Sequence, residues 1–185
     1  MEFYTFAVEM NSVSVFLIWL RRIFHCRGFG IQSPNDYWFV RYVINEHWRY
    51  YAYDLFDEYG DDWLTKKTGR LCFRIANWLQ PTNVVAYKYK SYIKEGCRMC
   101  NVVDDVEVAE MVVIPCTKDS ESIYDSFASR CDENSLMLVD GIYRRRDFWQ
   151  RIVSDEHSAI TFDLYYCGIV FFDKKRYKHN YKINF

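Results

Sequence analysis

A series of short apolar runs in the second half of the chain places the strongest constraint on the fold. Runs of this length, bounded by polar residues, are typical of strands buried on both faces of a sheet. Helical patterns fit between two pairs of these runs, at Ser120–Arg130 and at residues 145–153, and this alternation indicates a largely parallel sheet. The predicted strands are residues 84–89, 111–114, 136–139, 160–165 and 169–172, with a weaker one at 92–95.

The two ends of the chain complete this outline. Only residues 166–168 separate the last two strong strands, so these strands are expected to form an antiparallel hairpin. The N-terminal third is predicted to be helical over residues 13–24, from Ser33 to about residue 50, and over 66–79, with 54–62 as a loop. We therefore expect an α/β fold in which a helical segment, residues 1–80, packs on an α/β core, residues 81–185, as one compact unit.

Composition limits the classes of protein to which the chain can belong. A length of 185 residues, half of them hydrophobic, suits one folded domain. A net charge of −1 gives no overall attraction to nucleic acid or to an anionic membrane. Glu2 and Glu9 precede the apolar stretch 13–20, whereas a secretory leader has basic residues there, and Met10 is an alternative start. With seven cysteines and no leader, we expect a cytoplasmic protein that does not enter membranes.

Several segments resemble one protein family. The sequence RGFGIQSP at residues 27–34, with the Tyr- and Phe-rich helix that follows, resembles the N-terminal signature of bacterial, mainly Bacteroidetes, class I SAM-dependent methyltransferases. Residues 69–81 resemble the helix before their first core strand, 161–164 and 168–172 their closing hairpin, and 180–185 their terminal strand. The resemblance implies a Rossmann-like methyltransferase sheet, mostly parallel with a C-terminal antiparallel hairpin, and SAM as the cofactor.

The same resemblance points to two acidic residues. Glu95 is similar to the acid that closes the second strand of the family and hydrogen-bonds the ribose of SAM, so it is the candidate cofactor-binding residue. Asp140 follows the strand 136–139, and ligands of open α/β sheets bind beyond the carboxyl ends of strands. Asp140 is therefore the candidate catalytic residue, which would orient the substrate or bind a metal.

The cofactor-binding region departs from the family pattern. A methyltransferase holds SAM with a glycine-rich turn after its first strand, because glycine lets the backbone approach the ligand. Residues 84–92 contain no glycine, and their Tyr and Lys side chains would occupy that space. A strand–helix–strand unit takes roughly 30 residues, which do not fit between Val84 and Glu95. The sequence therefore predicts an incomplete sheet, a degenerate SAM site and no bound cofactor.

Two further patterns suggest sites of other kinds. Cys97 and Cys100 form a lone C-x-x-C, but a structural zinc site needs four ligands and no second close pair is present, so no metal site is predicted. The basic residues 144–146 and 174–179 have aromatic neighbours, a mixture that suits single-stranded nucleic acid, although a solvated helix start and a charged turn explain them equally well. With the net charge near zero, nucleic acid is not the expected partner.

Three functional hypotheses follow from these patterns. The first is a methyltransferase-like protein that has a degenerate SAM site and acts by binding an unknown protein or small molecule, in a regulatory role. The second is an active SAM-dependent methyltransferase with an atypical pocket, in which Glu95 holds the ribose and Asp140 serves the substrate. The third is a small module that binds single-stranded nucleic acid. Whether the chain is an enzyme is left open by the sequence.

Overall fold

A computed structural model of the chain describes residues 12–185, and Met10 with the rest of residues 1–11 lies outside the described part. The described residues form seven strands of one sheet: β1 Asn83–Ala86, β2 Asn101–Val102, β3 Met111–Pro115, β4 Leu136–Asp140, β5 Ile160–Asp163, β6 Cys167–Phe171 and β7 His179–Lys182. Their order in the sheet is β2-β1-β3-β4-β6-β5-β7. All neighbouring strands pair in parallel except β6, which is antiparallel to both β4 and β5.

Helices cover both faces of the sheet. On one face, residues of the second to fifth helices share a hydrophobic core with the sheet, and α6 and α7 pack on the other face. A 3₁₀ segment, Ile23–Gly28, follows α1, and a π-helical turn, Val40–Ile44, continues α2. The helices are α1 Ser12–Arg21, α2 Pro34–Phe39, α3 Ala52–Glu58, α4 Trp63–Leu79, α5 Lys90–Gly96, α6 Ser120–Arg130 and α7 Arg146–Ser154. Among residues 12–185, no helix is long and apolar enough to cross a membrane.

The central strands show why continuous apolar runs predicted them. In β3, Met111 and Val113 join the core under α4 and α5, whereas Val112 and Ile114 join the core under α6 and α7. Successive side chains of a strand point to opposite faces, so a strand covered on both faces must be apolar throughout. The predicted Rossmann-like α/β sheet, mostly parallel with a C-terminal antiparallel hairpin, is confirmed.

The prediction that the first strand–helix–strand unit is missing was wrong. Residues 90–96, which include the predicted strand 92–95, form helix α5, and this helix connects β1 to the parallel strand β2. Helix α5 lies very close to α4. A Cβ atom on Gly96 would stand 2.3 Å from the backbone oxygen of Phe73, and one on Gly69 would stand 2.6 Å from the ring of Tyr92. Only glycine allows both approaches.

Three smaller predictions also need correction. The stretch expected to be a loop, 54–62, begins inside helix α3, which buries Tyr53 and Phe56. The helix that starts after Ser33 ends at Ile44 rather than near residue 50, although Ser33 caps it as expected, since its side chain accepts a hydrogen bond from the Asp36 backbone N–H. The first strand ends at Ala86 instead of residue 89, and this difference determines the geometry of the candidate site.

Candidate functional site

The candidate site lies beyond the carboxyl ends of β1, β3 and β4. The parallel part of the sheet has the order β2-β1-β3-β4. The strand that follows β1 in the chain, β2, therefore lies on one side of β1, and the next strand, β3, lies on the other side. In open α/β sheets this switch point forms the crevice in which ligands bind. The residues that line it come from the turn after β1 and from the end of β4.

Tyr89 occupies this crevice. The residue follows β1, its side chain is only 6% exposed, and its hydroxyl donates a 2.8 Å hydrogen bond to Oδ2 of Asp140 at the end of β4. Because β3 stands between β1 and β4, the bond joins strands that are two positions apart, or about 10 Å. The Tyr89 side chain therefore reaches across the carboxyl end of β3 to Asp140.

The backbone of Tyr89 is also unusual. Its φ is +67°, in the left-handed region that glycine adopts freely and that costs other residues about 1–2 kcal/mol. A glycine would thus suit the conformation of this turn, and the chain has a buried tyrosine there instead. The neighbouring Lys88 donates a 3.0 Å hydrogen bond to the hydroxyl of Thr65 in α4, which ties the turn to the helix beside it.

Asp140 lies at the end of the central strand β4, as the sequence predicted. Its surroundings have opposing effects on the pKa of its carboxyl. Burial raises the pKa of its carboxyl above the ordinary value of 3.8, while the hydrogen bond from Tyr89 and the charges of Lys88 and Arg144 act to lower it. Burial, followed by the charge of Asp140, raises the pKa of the Tyr89 hydroxyl as well. The raised pKa keeps the Tyr89 hydroxyl protonated at neutral pH, which fits its role as the donor in the bond to Asp140.

Glu95 does not lie where the sequence analysis placed it. It stands in the last turn of α5 and not at the end of a strand, and its Oε2 contacts Nη2 of Arg98 at 3.3 Å. Within residues 12–185, no hydrogen bond or ion pair joins Glu95 to Asp140. The structure therefore does not bring the two predicted site residues together, and a role for Glu95 in binding ribose loses its geometric basis.

The acids that do follow β2 were not identified from the sequence. β2 ends at Val102, and the exposed residues Asp104 and Asp105 come next, with Asp105 accepting a hydrogen bond from the backbone N–H of Glu107. The signal was present, because an apolar pair followed by two acids is the pattern of a strand end. It was missed because the second strand was assigned to residues 92–95.

A second buried carboxylate, Asp163 at the end of β5, was also missed. It forms ion pairs with Arg22 at 2.6 Å and with Arg146 at 2.8 Å, and both guanidinium groups lie over the ring of Tyr165. Burial acts to raise the pKa of Asp163, but the charge of Arg22 and the other favourable contacts outweigh it and lower the pKa. The cluster joins the segment after α1 to the sheet, which is a structural role.

The C-x-x-C motif follows α5 and is buried. Cys97 and Cys100 are free thiols, and burial raises the pKa of the Cys100 thiol. In the part of the chain that the structure describes, no three His, Cys, Asp or Glu side chains are grouped closely enough to hold a metal ion. A raised pKa keeps a thiol protonated and unreactive, so the motif has the properties of core residues.

The basic segments form contacts within the protein. Arg145 pairs with Glu121, Arg146 with Asp163, and Lys175 with Glu133. Arg176 pairs with the buried Asp36, which also accepts a hydrogen bond from the Tyr181 hydroxyl. Four of the seven Lys and Arg side chains in these two segments are therefore paired with acids of the protein, which reduces the charge that a nucleic-acid backbone could contact.

Comparison with known proteins does not assign this chain to a family. Neither a known protein-family model nor a curated protein sequence matches this chain.

Proposed function

We propose that this chain is a methyltransferase-like protein whose SAM crevice is closed by its own Tyr89, and that it acts by binding another molecule rather than by transferring a methyl group. The observation that carries this proposal is the Tyr89–Asp140 hydrogen bond across the switch point of the sheet. The segments that resemble bacterial methyltransferases support the methyltransferase-like fold and ancestry in this proposal. The position of Tyr89 in the crevice supports the absence of methyl transfer.

The filled crevice argues against a bound cofactor for a steric reason. A cofactor at a switch point needs backbone and space close to the first strand, which glycine provides. Here a residue with a left-handed backbone conformation brings a large ring to that point, and the ring belongs to the main hydrophobic core. Opening the crevice would expose the ring and break the bond to Asp140, so cofactor binding would cost the protein part of its folding free energy.

An active SAM-dependent methyltransferase is the alternative that deserves a direct test, because a buried carboxyl with a raised pKa at a strand end is typical of functional sites. In that case Asp140 would orient the substrate. The acid that holds the ribose would be Asp104 or Asp105, since these residues follow β2 and Glu95 does not.

A thermal-shift assay with SAM and with S-adenosylhomocysteine separates the two possibilities. A ligand present at 100 times its dissociation constant stabilises the folded state by about 2.7 kcal/mol, which for a domain of this size raises Tm by about 5–11 °C. The closed crevice predicts no shift with millimolar ligand. A shift of that size at submillimolar ligand would overturn the proposal in favour of the enzyme.

We also propose a cytoplasmic location, which the seven free thiols support, because such thiols are oxidised in secretory compartments. Alkylation of the protein in freshly lysed cells tests it: all seven thiols should react after denaturation without a reductant. Fewer reactive thiols without the reductant than with it would indicate disulfides and contradict the proposal.

A further inference from the structure

A cavity of about 550 Å³ lies beside the N-terminal half of α4, separate from the Tyr89 side chain. Its walls come from α4, from α1 and the segment that follows it, from residues 44–47 at the end of the π-helical turn, and from residues 184–185. Cavities that bind small molecules usually have volumes of about 300–1,000 Å³. The cavity is therefore large enough for a ligand.

One face of α4 makes this cavity cationic. Trp63, Lys66, Lys67, Arg70 and Arg74 line it, and successive members of this set are one, three or four residues apart along α4. Residues spaced three and four apart lie on one side of a helix. The face therefore presents four positive charges and one aromatic ring to the same space.

Three of these four cations already have acceptors within the protein. Arg74 donates to two backbone oxygens of the π-helical turn at 2.6 and 2.9 Å. Lys66 and Arg70 both pair with Asp57, at 3.3 and 2.7 Å. Lys67 differs from them, because in residues 12–185 its ammonium has no hydrogen-bond acceptor or ion-pair partner.

The surroundings of Lys67 are aromatic and partly remove its ammonium from water. Its Nζ lies over two rings, 4.5 Å from the centre of Phe185 and 5.2 Å from that of Trp63. Burial, and after it the charge of Arg74, lowers the pKa of Lys67. The ring faces attract the ammonium but carry no negative charge, so a bound anion would supply the acceptor that Lys67 lacks.

Two further donors belong to residues that line the cavity, and among residues 12–185 these buried atoms have no acceptor. They are the side-chain amide nitrogen of Asn45 and Nε of Arg70. Glu46 is the one acidic residue among the described residues that line the cavity, and its Oε1 accepts hydrogen bonds from the backbone N–H groups of His47 and Trp48. Donors thus outnumber acceptors around this space, which is the composition of an anion site.

A smaller, apolar cavity of about 310 Å³ adjoins the first. The second is lined mainly by residues of α1 and of the β5–β6 hairpin, and the two cavities share Trp19, Trp63, Lys67, Asn184 and Phe185. Lys67 therefore stands at the boundary between a cationic space and an apolar one.

We propose that these two cavities form a binding site for a small organic anion, with its phosphate or carboxylate group held by Lys67, Arg70 and Asn45. The aromatic or aliphatic part of the ligand lies against Trp19, Trp63 and Phe185. The proposal rests on the binding role proposed above, to which it gives a ligand class, but it uses none of the residues that close the SAM crevice.

Calorimetry with phenyl phosphate, benzoate and neutral phenol tests this site. At least one of the two anions is expected to bind the wild-type chain, and the anion that binds more tightly identifies the preferred anionic group. Phenol should bind more weakly than that anion. Lys67→Met should weaken anion binding by about 10-fold to 100-fold, the usual worth of a hydrogen bond from a charged donor. Asn45→Ala should weaken it by a smaller factor.

The control is Lys118→Met, because Lys118 is exposed and lies outside both cavities. This variant has the same change in net charge, so its anion affinity should match that of the wild type. Lys67→Met should remain folded, since Lys67 is only partly buried and methionine keeps an apolar side chain against the two rings; if it does not fold, the Asn45→Ala result decides. The proposal is overturned if neither anion binds, if phenol binds as tightly as the anions, or if the Lys118 control loses as much affinity as Lys67→Met.

Titration with S-adenosylhomocysteine in parallel keeps the two proposals distinguishable. Binding of phenyl phosphate without binding of S-adenosylhomocysteine supports both. Binding of neither ligand overturns only the anion site. Binding of S-adenosylhomocysteine that persists in Lys67→Met overturns only the closed crevice.

Discussion

Replacing Tyr89 with phenylalanine removes only the hydroxyl that bonds to Asp140 and leaves the buried ring in place. The hydroxyl–Oδ2 distance is 2.8 Å and Tyr89 is 6% exposed, so water has little access to replace the lost donor. A hydrogen bond to a charged group contributes about 1.5–3 kcal/mol to stability. We expect Tyr89→Phe to lower the free energy of unfolding by that amount at pH values at which Asp140 is ionised in both proteins.

The pH dependence of this loss follows from the pKa of Asp140. Burial already raises that pKa, and the Tyr89 hydrogen bond acts to lower it, so the variant should have a still higher pKa. The bond stabilises the ionised carboxyl over the protonated one. The stability difference between wild type and variant is therefore fully present above the pKa of Asp140 in the variant, and it shrinks as the pH falls through the two folded-state values.

Urea unfolding of five proteins measures the effect: the wild type, Tyr89→Phe, Tyr87→Phe, Asp140→Asn and the Asp140→Asn/Tyr89→Phe double variant. Tyr87→Phe is the matched control, because Tyr87 lies in the same turn and is 59% exposed, so its loss should stay within about 0.5 kcal/mol. In an Asp140→Asn background, Tyr89→Phe should cost only about 0.5–1.5 kcal/mol, the worth of a neutral hydrogen bond. Equal losses for Tyr87→Phe and Tyr89→Phe, or the same loss in both backgrounds, would refute the reasoning.

Two other predictions concern the core and the ion-pair cluster. Gly168→Ala places a Cβ 2.3 Å from the ring of Trp149, which is 1% exposed and has little room to move. The free energy of unfolding measured in urea should therefore fall by about 1–3 kcal/mol. An equal loss in a Trp149→Phe background would contradict this. The lowered pKa of Asp163 means that its stabilising effect is present above its ordinary pKa of 3.8 and is lost as the pH falls through the folded-state value. Asp163→Asn should therefore be less stable than wild type at neutral pH, with a gap that narrows in acid, and a gap independent of pH would show that the ion pairs with Arg22 and Arg146 contribute little.

The main strands could be predicted from the sequence because burial on both faces forces an unbroken apolar run. β4 is an example, since Leu136 and Leu138 lie in one core and Met137 and Val139 in the other. Strand β2 has two residues, Asn101–Val102, too few for an apolar run or an alternating pattern, so only the two acids that come after it could have marked its end.

Helix α5 was mistaken for a strand for a related reason. It has seven residues, fewer than two full turns, and its buried side chains Tyr92 and Ile93 are adjacent in the sequence. The glycines that let α5 approach α4, Gly69 and Gly96, act through tertiary contacts that local periodicity does not contain.

The candidate site was only half predictable. Asp140 could be located because it follows a clear strand, but its partner Tyr89 is 51 residues away in the chain, and the bond between them depends on the order of the strands. The cationic face of α4 is visible in the sequence as Lys66, Lys67 and Arg70, but which of these cations lacks an acceptor depends on where Asp57 lies.

The claim that Tyr89 closes the SAM crevice is tested most directly by isothermal titration of the wild-type chain with S-adenosylhomocysteine at neutral pH. The filled crevice predicts no saturable heat up to millimolar ligand. A one-to-one complex with a micromolar dissociation constant would contradict it.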